Sequence, residues 1–126
     1  MTLMMRYTTY KVHLAGIPKI ALAVMHELVA YTEHTTGITL NTVSFEKFLA
    51  IANLSQDTTW ADVVQIMSQC GKAVASVRQY EQVGTKRKEV LYGSWPVFPQ
   101  ISITTKEVIF EICPLMWEDR DEKIPA

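Results

Sequence analysis

Apolar residues recur at helical spacing in three stretches of this chain and at alternate positions in several others, with proline, glycine and capping residues marking the boundaries. Pro18 suits the first position of a helix, where its missing N–H would have no partner anyway, and Ile20, Val24, Met25, Leu28 and Tyr31 follow at helical period. This helix is predicted to end near His34, ahead of Gly37. From Gly37 to Val43, Ile38, Leu40 and Thr42 alternate with Thr39, Asn41 and Val43, and the β-branched content predicts a short strand. Ser44 is placed to cap a second helix whose apolar face is Phe45, Phe48, Leu49 and Ala52, with Asn53 as its stop. After the polar loop Ser55-Gln56-Asp57, the stretch Thr59-Trp60-Ala61-Asp62 is a capping box with aspartate in the usual glutamate place. It opens a third helix along Val63, Val64, Met67 and Cys70 as far as Gly71.

From Ala73 the period becomes two. Val74, Ser76, Arg78 and Tyr80 fall on one side and Ala75, Val77 and Gln79 on the other, so a strand is predicted. Val83-Gly84-Thr85 turns it into a partner strand from Lys86 to Leu91, a β-hairpin with three consecutive cations in its returning arm. Pro96 and Pro99 make Gly93 to Gln100 an edge, a bulge or a bent crossing, because proline cannot donate to a central ladder. Ile101 and Ile103 restart a strand, Thr104-Thr105-Lys106 turns, and Glu107 to Ile112 returns with Val108, Phe110 and Ile112 on one face. The charge run from Glu118 to Lys123 reads as a solvated end or linker.

This order defines an α+β chain and predicts a winged helix: helix, strand, helix and helix, followed by an antiparallel sheet with a basic hairpin as the wing. The turn between the paired helices would be Asn53 to Thr58. The divisions are an N-terminal segment over residues 1–17, a winged-helix domain over 18–117, and a charged tail or linker over 118–126.

The chain has 126 residues and a formal net charge of -1, with 48% hydrophobic and 20% charged residues, which is the composition of one folded globule. That balance excludes a protein that coats DNA by overall charge, so any nucleic-acid contact has to be local. Cys70 and Cys113 are far apart and form no metal-ligand spacing, which reads as two reduced thiols. The longest apolar run, Ile20 to Met25, is too short to span a bilayer, and the first residues lack a secretory pattern. A cytoplasmic protein with no membrane partner is expected.

Candidate chemistry centres on the hairpin. Arg78, Lys86, Arg87, Lys88 and Lys106 are opposed in that region by Glu81 and Glu89, and such local cations suit a phosphate backbone. Lysines on an exposed hairpin also serve solubility. The third helix offers Gln65 and Gln69 outward, one turn apart and able to read adenine edges, with Lys72 beyond them and no arginine for guanine. His26-Glu27 begins a zinc-protease pattern, but Ala30 stands where its second histidine belongs. No phosphate loop or nucleophile–histidine–acid pattern is seen, so a non-enzyme without cofactor or metal is expected. Trp95, Val97, Phe98, Ile101 and Ile103 supply more apolar surface than one sheet face buries, which predicts a homodimer through the sheet.

The segments ALAVMHELVAYTE, ITLNTVSFEKFLAIANLS, TTWADVVQIMSQCGKAVASVRQYE and ISITTKEVIFEICPLMWE together resemble the N-terminal winged-helix domain of iteron-binding plasmid replication initiators, over most of the chain from Lys19 to Glu118. The resemblance implies dimerisation with auxiliary backbone contact to double-stranded DNA at a plasmid origin, host replication proteins as further partners, and no catalysis. Initiators of this kind carry a second winged helix as the main iteron reader, for which 126 residues leave no room. Two alternatives remain: a stand-alone winged-helix transcription regulator reading DNA with its third helix, and a protein-interaction module without a DNA role.

Overall fold

The computed structural model describes residues 4–32, 40–113 and 120–125. Along the chain run β1 (Met4–His13), α1 (Lys19–Tyr31), β2 (Leu40–Ser44), α2 (Phe45–Ile51), α3 (Trp60–Cys70), β3 (Val74–Val83), β4 (Lys86–Pro96), β5 (Gln100–Ile103), β6 (Glu107–Glu111) and β7 (Arg120–Pro125). The expected helix end near His34, the first residues of the predicted strand, and Trp117 to Asp119 lie outside the described residues.

The helix boundaries follow local chemistry. Ser44 Oγ accepts the Lys47 N–H at 3.1 Å and Thr59 Oγ1 accepts the Asp62 N–H at 3.2 Å, so each cap satisfies an amide that the first turn leaves unpaired. Asn53 ends the second helix at φ 56°, a left-handed conformation that asparagine tolerates, and the Leu54 N–H reaches back to the Leu49 carbonyl at 2.8 Å.

Two antiparallel sheets result, a four-stranded one in the order β4-β3-β1-β7 and a three-stranded one in the order β2-β6-β5. The fold is α+β, but the winged-helix expectation is corrected. That architecture needs the basic hairpin in the sheet that flanks the helix pair. Instead β2 pairs with β6, and the basic hairpin β3–β4 pairs through β3 with β1, residue for residue from Met4 opposite Val83 to His13 opposite Val74. The N-terminal stretch thus fills an inner place in the sheet. The charge run read as a tail contributes β7, which pairs with β1 from Tyr10 opposite Arg120 to Met5 opposite Pro125.

The core lies among the three helices and the three-stranded sheet. Ala21, Val24, Met25 and Leu28 of α1 meet Val63, Met67 and Cys70 of α3, over Val108 and Phe110 of β6. Phe48 of α2 meets Phe110 edge-on, with centroids 6.1 Å apart and planes at 66°. Each such side chain contributes about 1.5–3 kcal/mol by leaving water. In β2 the inward positions are Asn41 and Val43 while Leu40 faces solvent. Asn41 is tolerated inside because its amide donates to Thr32 Oγ1 at 3.3 Å.

The four-stranded sheet joins this core at one end, through Ala73, Ala75, Val97 and the flanking Val12. The Val97 N–H bonds to the Ala73 carbonyl at 3.0 Å, and the Cys113 N–H to the Val97 carbonyl at 3.1 Å. Val97 and Phe98 are therefore 0% and 4% exposed, which corrects their placement in a dimer interface. The prolines on either side turn this short segment inward. Ten residues of β3 rise roughly 30 Å, so the hairpin tip stands well away from Val74 and the end of α3.

Candidate nucleic-acid interface

The hairpin tip is built by a two-residue turn, Gly84-Thr85, in which Gly84 takes φ 61° at no steric cost. Val83 then pairs with Lys86, Gln82 with Arg87 and Glu81 with Lys88. Further in, Tyr80 pairs with Glu89 but Gln79 pairs with Leu91, which leaves Val90 as the extra residue of a β-bulge.

The turn and the bulge together decide what each face of the sheet carries. A one-residue slip exchanges the two faces of a strand. Without the bulge, Tyr92 would fall on the face opposite to Tyr80 and Tyr7; with it, Tyr92 stands opposite Arg78 on theirs. The two-residue turn, by setting Arg87 opposite Gln82, gives Arg87 that same face and the two lysines the other. The Arg87 guanidinium carbon lies 4.2 Å from the Tyr80 ring centroid and 5.3 Å from that of Tyr7. On the same face Arg78 lies 5.0 Å from the Tyr92 centroid and 3.5 Å from Glu89 Oε1. The Tyr80 hydroxyl first, and the Glu89 carboxylate after it, hold the Arg78 guanidinium still more firmly in its charged form. These pairs span β1, β3 and β4, so no single segment of sequence announces them.

Lys86, Arg87 and Lys88 are all exposed and line a surface groove of about 550 Å³ with Val83 and Glu81. Glu81 is already engaged, at 3.3 Å from Arg6 Nη2 on the neighbouring strand, so the groove is net cationic. Both ion pairs are exposed and contribute little to stability.

The other residues expected to touch DNA do not gather here. Gln65 is exposed and Gln69 half-buried on α3, and Lys72 is exposed just beyond it. Lys106 sits in the turn between β5 and β6, against the start of α2, where its carbonyl accepts the Phe45 N–H at 2.9 Å. They belong to the helical body, while Arg78, Lys86, Arg87 and Lys88 belong to the projecting sheet.

Of the residues expected at a dimer interface, Trp95 is 46% exposed on β4, with its indole over Gly93. A Cβ at Gly93 would meet Trp95 Cη2 at 2.9 Å. Ile101 and Ile103 are half-buried, and they line a shallow apolar groove of about 390 Å³ beside Trp60 and Met67 of α3.

His13 places Nε2 2.9 Å from Ser76 Oγ across β1 and β3. Ser76 is buried, and among the described residues no carboxylate is bonded to the imidazole to complete a triad. No group of three metal-ligating side chains occurs among the described residues. No helix among them is long and apolar enough to cross a membrane. Comparison with family models, with curated proteins and with solved structures finds no match for the chain.

Proposed function

We propose that this chain is a non-enzymatic module that contacts the phosphate backbone of DNA through the tip of the β3–β4 hairpin. This is the auxiliary role implied by its sequence resemblance to the N-terminal domain of plasmid replication initiators. The observation that carries the reading is the run of three exposed cations, Lys86, Arg87 and Lys88, around a groove whose carboxylate is already paired with Arg6. Cations presented on both faces of a projecting arm suit a backbone and carry no base code. Binding is therefore tolerant of sequence. Replacing all three by alanine weakens binding to unrelated duplexes by the same factor; a loss confined to one sequence, or none at all, contradicts the reading.

Self-association is the other half of that implied role. With Val97 and Phe98 taken into the core, it falls to β4, the outer strand of its sheet among the described residues, where Leu91 and Trp95 are exposed. An outer strand offers unpaired backbone groups to a second copy.

A further inference from the structure

We propose that the tyrosine-bearing face of the four-stranded sheet is a stacking platform for single-stranded nucleic acid. The inference rests on the DNA-contact reading above and assigns that contact a substrate class. It comes from what the register brings together. Tyr7 is paired with Tyr80, Arg78 with Tyr92, and Gln82 with Arg87, so three rings and two guanidinium groups from three strands share one face.

Tyr92 is 60% exposed on the outer strand, where solubility alone would favour a charged residue. Its neighbour Arg78 is anchored by the ring and by Glu89. Nearer the tip, Arg87 is exposed and backed by Tyr80 and Tyr7. An arginine already supported by two rings loses little freedom when it binds, and its planar group is itself a surface on which a base can stack.

A duplex turns its bases inward and would offer this face only its phosphates. A single strand offers phosphates and unstacked bases together, and alternating rings and cations answer both. On this face Lys11, Arg78 and Arg87 outweigh Glu89 among the described residues. Lys86 and Lys88, on the opposite face, serve a backbone of either form. The two faces therefore have separable consequences.

The test is fluorescence anisotropy with a labelled oligothymidylate and a duplex of equal length. The wild-type chain binds the oligothymidylate more tightly, and Tyr92→Ala weakens that binding about tenfold while leaving the duplex unchanged. Arg87→Lys keeps the charge but loses the plane, and it weakens oligothymidylate binding with the salt dependence preserved. Both substitutions are at exposed positions, and unchanged far-ultraviolet circular dichroism verifies the fold. Equal affinity for the two probes, or a Tyr92→Ala variant that binds oligothymidylate like the wild type, overturns the platform. In that event the hairpin contact still stands if the Lys86, Arg87 and Lys88 alanine variant loses duplex binding. Binding of neither probe removes both readings.

Discussion

Arg87 lies over the ring of Tyr80, 4.2 Å from its centroid, although the two residues are not directly paired across the hairpin. Their shared face follows from the two-residue turn, which sets Arg87 opposite Gln82, two residues from Tyr80. The same turn sends Lys86 and Lys88 to the opposite face, and the bulge at Val90 brings Tyr92 back to that of Arg87. Turn and bulge together thus separate a ring-and-guanidinium surface from one that carries the two lysines beside Glu81.

Truncating Arg87 to alanine removes its contacts with Tyr80 and Tyr7. Exposed contacts of this kind contribute about 0.5–1 kcal/mol each, so the loss in unfolding free energy should be about 1–2 kcal/mol. Urea denaturation followed by circular dichroism measures it. A loss several times larger would mean that the tip is part of the cooperative core.

Phe110 ties β6 to α2 through Phe48 and is fully buried. Phe110→Ala should cost about 3–5 kcal/mol, a large share of the about 5–15 kcal/mol that holds a domain of this size together. Thermal unfolding should move down by many degrees. A near-wild-type midpoint would place the core elsewhere.

Gly93 leaves room for the indole of Trp95, whose nearest atom lies 2.9 Å from where a Cβ would stand. Gly93→Ala should therefore push the indole off the sheet. The expected readout is a red-shifted Trp95 emission, isolated by comparison with a variant that also carries Trp95→Phe.

Burial pushes the Cys70 thiol up to about 12 from an ordinary 9.0. Because its folded value lies above its unfolded one, the contribution of Cys70 to stability is fully present below about pH 9 and declines as the pH rises towards 12. Alkylation at neutral pH should modify Cys113, which is half-buried, well before Cys70, which reacts at the rate of unfolding. Mass spectrometry of partly modified chains resolves the order.

The features legible in the sequence are those written in short stretches. Ser44, Thr59 and Asn53 mark helix ends because a cap acts over three or four residues, and Gly84 marks the hairpin because its two flanking runs alternate. Strand partnership is not local. Met4 to His13 mixes tyrosine, threonine, arginine and methionine on both faces, so no apolar stripe marks it as an inner strand, and its place between β3 and β7 appears only in the assembled sheet. The burial of Val97 and Phe98 escapes the sequence for a related reason. The prolines around them announce an interrupted strand, but not the hydrogen bonds to Ala73 and Cys113 that draw the segment inward. The cations were legible as a cluster. Their division between two faces follows from strand alternation, but the return of Tyr92 to the arginine-bearing face depends on a bulge at Val90 that no residue type signals.

The central claim, that the hairpin tip holds a phosphate backbone, is tested most directly by the salt dependence of DNA binding. Affinity is measured over a range of salt concentrations for the wild-type chain and for the variant with alanine at positions 86, 87 and 88. The slope of log affinity against log salt should flatten by roughly two to three in the variant, since each lost phosphate contact removes about 0.9. Identical slopes for the two proteins would contradict the account.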